Sequence, residues 1–238
     1  MFTGIVQGVR KVTVITDLKG GRRLRIQLND LAENLQHGSS VAVNGVCLTA
    51  IKIEEGCAEF DIIQESLDRS NLGALVIGDS VDIERACYFG DEVGGHQVTG
   101  HIDCTGKIDE IRKTPNNRDV VVYCEEEWGG YLIPKGWIAI DGVSLTVVDV
   151  GDNWFSISLI PETLEYTVLG QKVEGDKVNL EFDLTTKVIV KTIQRMFPEI
   201  KKQILSGMRK IESTNNNAVI INSIDCDYTA IDSKYDNI

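Results

Sequence analysis

Asp141-Gly142-Val143-Ser144-Leu145-Thr146 has a counterpart in this 238-residue chain, because Asn44-Gly45-Val46-Cys47-Leu48-Thr49 stands 97 positions earlier. The same offset of 97 pairs Glu65-Ser66-Leu67 with Glu162-Thr163-Leu164, Leu72-Gly73 with Leu169-Gly170, and Gly78-Asp79-Ser80-Val81 with Gly175-Asp176-Lys177-Val178. A period this long marks two copies of one domain, since solenoid units run roughly 20–50 residues.

Around the repeated hexapeptide the chain reads as short strands. Leu24 to Leu28 alternates apolar and polar residues, as a half-buried strand does. Val12 to Ile15, Val41 to Val43, Leu48 to Ile53, Phe60 to Ile63 and Val81 to Glu84 complete six. Gly20-Gly21, Gly38-Ser39, Asn44-Gly45 and Glu55-Gly56 punctuate them as turns. The second half repeats the plan with His101 to Asp103, Val120 to Tyr123, Trp137 to Ile140, Ser144 to Val150, Trp154 to Ile160 and Val178 to Phe182. Six short strands per half predict an all-β fold of two tandem antiparallel barrels, closure leaving no exposed edge. A barrel this small fills its own interior, so a ligand must lie at a rim or between barrels. The junction around Gly94-Gly95-His96-Gln97 has no linker beyond it, and barrels so tightly joined should touch.

From Lys187 the period changes. Ile189, Ile193, Met196 or Phe197, Ile200, Ile204, Met208 and Ile211 recur every three or four residues, as on an amphipathic helix. Pro198 predicts a division into two helices there. The apolar stripe can pack on the chain's own barrel or join subunits. Residues 213–238 have little periodicity and are expected to be a disordered tail.

The formal net charge of -12 disfavours non-specific nucleic-acid binding and serves solubility. No stretch reads as a signal peptide or a membrane span, so a cytoplasmic protein without membrane association is expected, its six cysteines reduced.

Four features can carry chemistry. Asx-Gly predicts a tight turn, after which Cys47 with Thr49, and Ser144 with Thr146, share one strand face. The same pattern also serves as a plain hairpin. Gly94-Gly95-His96-Gln97-Val98-Thr99-Gly100-His101 holds two of the three histidines among glycines that let a flat group approach. It reads equally as an interdomain turn. A zinc site of Cys87, His96, His101 and Cys104 is disfavoured by its spacing, and no metal is expected. Lys135 can meet an anionic or carbonyl group, or simply be solvated. Asp61-Ile62-Ile63-Gln64-Glu65-Ser66 and Leu159-Ile160-Pro161-Glu162-Thr163-Leu164 end apolar runs with a carboxylate and a hydroxyl, suited to gripping a heterocycle or capping a helix. There is no P-loop, GxGxxG, Gly-x-Ser-x-Gly or HExxH.

Over about residues 1–197 these motifs, with Met-Phe-Thr-Gly-Ile-Val-Gln-Gly at the N-terminus, resemble riboflavin synthase of the alpha-chain type. The resemblance implies two six-stranded Greek-key barrels over 1–96 and 97–186, each binding one pteridine-like ring, and a C-terminal α-helix over 187–212 that trimerises the chain. It implies that two molecules of 6,7-dimethyl-8-ribityllumazine exchange a four-carbon unit without a cofactor, at a site between barrels of neighbouring subunits. Carried over, Gly4-Ile5-Val6, Cys47-Leu48-Thr49 and residues 61–66 line the first pocket. Gly100-His101-Ile102, Lys135, Ser144-Leu145-Thr146 and residues 159–164 line the second. Ser40, Cys47, His101, Ser144 and Thr146 match positions the family associates with chemistry. His101, or Ser144 through water, would assist proton loss from one 7-methyl group, while Cys47 or Ser40, or a water they hold, adds to the other ring. Two departures stand out: a longer tail after Glu212, and Ser66 where threonine is usual. The related lumazine-binding antenna proteins of luminous bacteria, which depart from the enzyme at the histidine stretch and the hairpin triplets, are the non-catalytic alternative. A flavin reductase barrel is disfavoured, because no nicotinamide-binding domain follows. A lumazine synthase shell around the trimer is left open.

Overall fold

A computed structural model describes residues 1–214. The tail expected over 213–238 falls, from residue 215 onward, outside the described residues. The first barrel comprises β1 (Gly8–Leu18), β2 (Gly21–Gln27), β3 (Ser40–Val43), β4 (Val46–Glu54), β5 (Cys57–Ile63) and β6 (Ser80–Arg85), with the short helix α1 (Gln64–Arg69) after β5. It closes in the order β1-β2-β5-β4-β3-β6, every pair antiparallel. The second comprises β7 (Cys104–Lys113), β8 (Arg118–Tyr123), β9 (Trp137–Ile140), β10 (Val143–Val150), β11 (Trp154–Leu159) and β12 (Lys177–Phe182), with helix α2 (Pro161–Tyr166) after β11. It closes as β10-β11-β8-β7-β12-β9. Alternate residues of each strand fill a separate core, around Phe60 and Ile83 in one barrel and Phe155 and Phe182 in the other. Bulges in β1, β4, β7 and β10 bend strands that must close around so few neighbours.

The repeated Asx-Gly forms the hairpin turns β3–β4 and β9–β10. Asn44 and Gly45 have φ of 45° and 79°, Asp141 and Gly142 of 47° and 88°, the left-handed pair of a type I′ turn. The two turns meet back to back. A Cβ on Gly45 would lie 2.6 Å from the Gly142 nitrogen, so backbone touches backbone and no side chain fits.

Two predicted elements differ. His101-Ile102-Asp103 is not a strand; β7 begins at Cys104. The His101 N–H turns to the Thr99 hydroxyl and Ile102 packs on the core of the other barrel, so pairing with β12 starts only where Asp103 N–H donates to the Leu180 carbonyl. Pro198 does not divide the terminal helix, and α3 (Leu184–Thr214) is continuous. The missing donor leaves the Gln194 carbonyl free, but residues around it are exposed and water can satisfy it. Asp183 caps α3 by accepting from Thr186 N–H. The α3 residues Val188, Ile189, Ile193, Met196, Phe197, Ile200, Ile204 and Leu205 are exposed.

A buried polar network surrounds the paired turns. Asn44 Oδ1 accepts from Asp82 N–H, and Asp141 Oδ1 from Asn179 N–H, both at 2.8 Å. Across the junction, Asp82 Oδ1 accepts from Val168 N–H, and Asn179 Oδ1 from Asn71 N–H. Asn179 Nδ2 then donates to the Asn44 carbonyl at 2.8 Å. Asp82 Oδ2 is the corresponding atom, and it has no hydrogen-bond partner among the described residues. Burial pushes the Asp82 carboxyl well above the usual carboxylate range, opposed by the Val168 N–H and reinforced by Asp141. Burial likewise raises Asp141, against the Lys172 ammonium 3.7 Å from its Oδ2.

A neutral Asp82 can donate where Asn179 does. Its neutral form favours the folded chain, a contribution complete below the ordinary carboxylate value near ~4 and lost as pH rises through the raised folded value. Asp82→Asn removes that titration. We expect the variant and the parent to melt alike at low pH, and the variant to be more stable at alkaline pH by roughly 1–3 kcal/mol. Equal melting at every pH would contradict this.

Candidate functional site

Two segments outside the barrels bring the halves together. Phe2 and Val98 pair as an isolated antiparallel bridge and are buried with Ala42 and Ala139. Thr3-Gly4 and Thr99-Gly100 follow. Thr3 gives its N–H (2.6 Å) and hydroxyl (2.8 Å) to Glu84 Oε1, and Gly4 its N–H to Oε2. Thr99 gives its N–H (2.7 Å) and hydroxyl (2.6 Å) to Glu181 Oε1, and Gly100 its N–H to Oε2. Charge-assisted acceptors of this kind are strong, and both carboxylates are buried.

Each anchored segment then reaches the hairpin of the opposite barrel. Gly4, held by the first barrel, accepts from Ser144 N–H of the second at 2.8 Å. Gly100, held by the second, accepts from Cys47 N–H of the first at 2.8 Å. Both glycines have positive φ, 75° and 80°, and a Cβ at either would lie 2.5 Å from the facing Cβ. The side chains beyond them cross as well: Val6 packs on the second core and Ile102 on the first.

This exchange corrects the expected grouping of residues. Cys47, Glu65 and Ser66 share a cavity of about 260 Å³ with Gly100, His101 and Ile102, not with Gly4-Ile5-Val6. Val46, Arg69 and Ser70 complete its lining. Gly4-Ile5-Val6 belongs with Ser144 instead. The physical reason is the carboxylate anchor, which fixes each segment at the junction where the other barrel's hairpin donates an N–H to it.

On the second side Ser144 Oγ lies 2.7 Å from His96 Nδ1, the tautomer deciding which donates. His96 is 4% exposed and stacks on Trp137 with centroids 5.8 Å apart and ring planes nearly parallel. Burial holds its pKa below the usual 6.5 against the charge of Asp183, so the ring is neutral near pH 7. The sequence alone offers His96 as part of its glycine-rich stretch and of the disfavoured zinc set. The signal for it was Gly95, whose Cβ would run into the Ser144 side chain. The anchors Glu84 and Glu181 were missed too. They repeat at 97, but Thr3-Gly4 and Thr99-Gly100 repeat at 96, one residue out of register.

The remaining candidates divide by face. Leu48, Ile62, Leu145 and Leu159 are buried in the barrel cores, so only their backbones can face a pocket. Thr49, Ile63, Thr146 and Ile160 are exposed on the outer face. Ser40 lies opposite Thr49, and Trp137 opposite Thr146, so the sides differ there. Asp61 is held by Arg23 at 2.6 and 2.8 Å, which lowers its pKa. Gln64, Glu65 and Ser66 open α1, and Pro161, Glu162 and Thr163 open α2, followed by Leu164. Lys135 is exposed with φ of 66°. The described residues contain no cluster of three metal-type ligands.

The lumazine binding domain model matches twice, over residues 3–86 and 99–183. Riboflavin synthase of Escherichia coli (strain K12) is 43% identical over 198 residues, covering 82% of this chain and 93% of that protein. Riboflavin synthase of Chlamydia pneumoniae is 42% identical over 197 residues, covering 82% and 96%. Among solved structures, LumP complexed with riboflavin aligns with a TM-score of 0.72 at 27% identity, over 77% of this chain and all of LumP. LumP complexed with 6,7-dimethyl-8-(1'-D-ribityl) lumazine aligns with a TM-score of 0.70 at 26% identity.

If His96 and Ser144 act as a unit, replacing both costs little more than replacing one. A turnover cycle of His96→Gln, Ser144→Ala and the double variant should give a coupling energy of roughly 0.5–3 kcal/mol; additive effects would refute the pairing. Because the folded pKa is depressed, stability from neutral His96 is full above 6.5 and lost as pH falls through the folded value. A ring titration by NMR should therefore show a midpoint below 6.5.

Proposed function

The chain belongs to the riboflavin synthase family and carries the lumazine-binding domain twice, and we infer from this that it performs the family's reaction. It is an enzyme that dismutates 6,7-dimethyl-8-ribityllumazine. One molecule gives up a four-carbon unit and leaves as 5-amino-6-ribitylamino-pyrimidinedione; the other takes it up and becomes riboflavin. The observation that carries the reading is the pair of equivalent strand triplets, Cys47 to Thr49 and Ser144 to Thr146, each met by a threonine-glycine segment anchored on the opposite barrel. A reaction between two identical heterocycles needs two such places. Holding both rings converts a bimolecular encounter into a local one. The second lumazine is the electron sink, so no cofactor is called for.

Within this reading the Cys47 pocket and the Ser144 side each hold one ring. His101 lines the first, and His96 backs Ser144 on the second. Loss of a proton from the 7-methyl group of one ring is assisted by His101, or by Ser144 through water. Addition to the other ring comes from Cys47 or Ser40, or from a water they hold, with Thr146 beside Ser144 as a further hydroxyl. The barrels over 1–96 and 97–186 are joined in threes through the helix over 187–212, and the exposed apolar stripe of α3 supports this. The barrel of one chain then faces the unlike barrel of its neighbour. No helix among the described residues is long and apolar enough to cross a membrane, and we place the enzyme in the cytoplasm.

LumP's structural likeness keeps a non-catalytic lumazine-binding role as the second reading. Incubating the protein with 6,7-dimethyl-8-ribityllumazine, without added metal or cofactor, should produce riboflavin's yellow absorbance and green emission; binding without turnover would establish the second reading instead. His101→Gln should slow turnover of bound substrate by roughly 10²-fold if His101 moves the proton; an unchanged rate excludes that role. Sedimentation should give the mass of three 26.3-kDa chains. A much larger particle would indicate enclosure by lumazine synthase.

A further inference from the structure

Glu84 and Glu181 are buried, yet each is, among the described residues, the acidic anchor of a segment that reaches the triplets. Taking the reaction above as given, we propose that Glu84 and Glu181 are crossed positioning residues: Glu181, carried by the second barrel, sets the geometry of the Cys47 pocket on the first, and Glu84, carried by the first, sets the Ser144 side of the second. The path is short and made wholly of hydrogen bonds. Glu181 accepts from Thr99 N–H, Thr99 Oγ and Gly100 N–H; the Thr99 hydroxyl oxygen accepts from His101 N–H; the Gly100 carbonyl accepts from Cys47 N–H at 2.8 Å. Glu84, Thr3, Gly4, Ile5 and Ser144 form the same path on the other side.

A carboxylate suits this work because every facing group is a donor. Glutamine keeps one oxygen but turns its NH₂ toward either the threonine or the glycine N–H, a donor against a donor. The segment must then shift, and with it Gly100 and His101. The close approach of Gly100 to Cys47 leaves no slack for that shift. The effect therefore appears in the pocket across the junction, whereas a loss of local packing would appear in the barrel that carries the glutamate.

Cys47 reports on the first pocket, which it lines. The experiment alkylates the full-length protein with iodoacetamide, with and without riboflavin, and reads the Cys47 peptide by mass spectrometry. Riboflavin should slow labelling of Cys47 in the parent and in Glu84→Gln to a similar degree. In Glu181→Gln the riboflavin concentration needed should rise by about tenfold, as one lost buried hydrogen bond implies. Turnover should fall in both variants, since both rings must be held. Thr99→Val should behave as Glu181→Gln, and Thr99→Ser, which keeps the hydroxyl, should restore protection; this pair carries the test if a glutamine variant fails to fold. The idea is overturned if Glu84→Gln weakens protection of Cys47 as much as Glu181→Gln, or if neither Glu181→Gln nor Thr99→Val weakens it. If riboflavin does not protect Cys47 in the parent, the pocket is misplaced and the crossing falls with it. Absent turnover in a parent that shows the crossed pattern would count against the reaction alone.

Discussion

Backbone donors at a strand's outer face must find acceptors, and here they find them on the other barrel. Cys47 and Ser144 are each the second residue of a strand whose neighbour on one side is its hairpin partner. Their own N–H groups point away from that barrel and are met by Gly100 and Gly4. Those glycines are in place only because a buried carboxylate holds each by its N–H. The shape of both sites follows from this one requirement. The junction cannot be loosened without exposing buried polar groups, and the sites cannot be moved without loosening the junction.

The two sides share a backbone plan but differ in chemistry. Where the first has Cys47, Ser66, Arg69 and His101, the corresponding places of the second hold Ser144, Thr163, Tyr166 and Ile5. Ser40 gives way to Trp137, whose ring stacks on His96. One side thus presents a thiol and an exposed imidazole, the other a hydroxyl backed by a buried neutral one. For a dismutation this difference is useful, because two chemically identical molecules must be made to play unlike parts.

Much of this was legible from the residues. The Asx-Gly hairpins, the six-strand plan and the doubled domain follow from local rules: positive φ at Asn44-Gly45 and Asp141-Gly142, alternation along Leu24 to Leu28, and a repeat held by side chains facing the core. The exchange was not legible, because hydrogen bonds of sequence separation above eighty leave no periodic trace. His101 to Asp103 looked like a strand because its alternation is right; the His101 N–H is committed to the Thr99 hydroxyl, and the Asp103 carboxylate accepts from Phe182 N–H. Asp61 looked like a free ligand, and only the fold reveals Arg23 beside it. Pro198 looked like a breaker, and solvent around it removes most of the reason.

The mismatched quartet at the paired turns has a bearing on ancestry. One half carries Asn44 and Asp82, the other Asp141 and Asn179, so each half joins one acid to one amide but in opposite order, Asp82 N–H to Asn44 and Asn179 N–H to Asp141. Two identical half-size copies would carry the same residue at each matching position, whereas here acid and amide have exchanged places between the halves. Fusing the copies into one polypeptide lifted that restriction. Each half is then free to differ, as Cys47 and Ser144 differ at matching positions of the two sites.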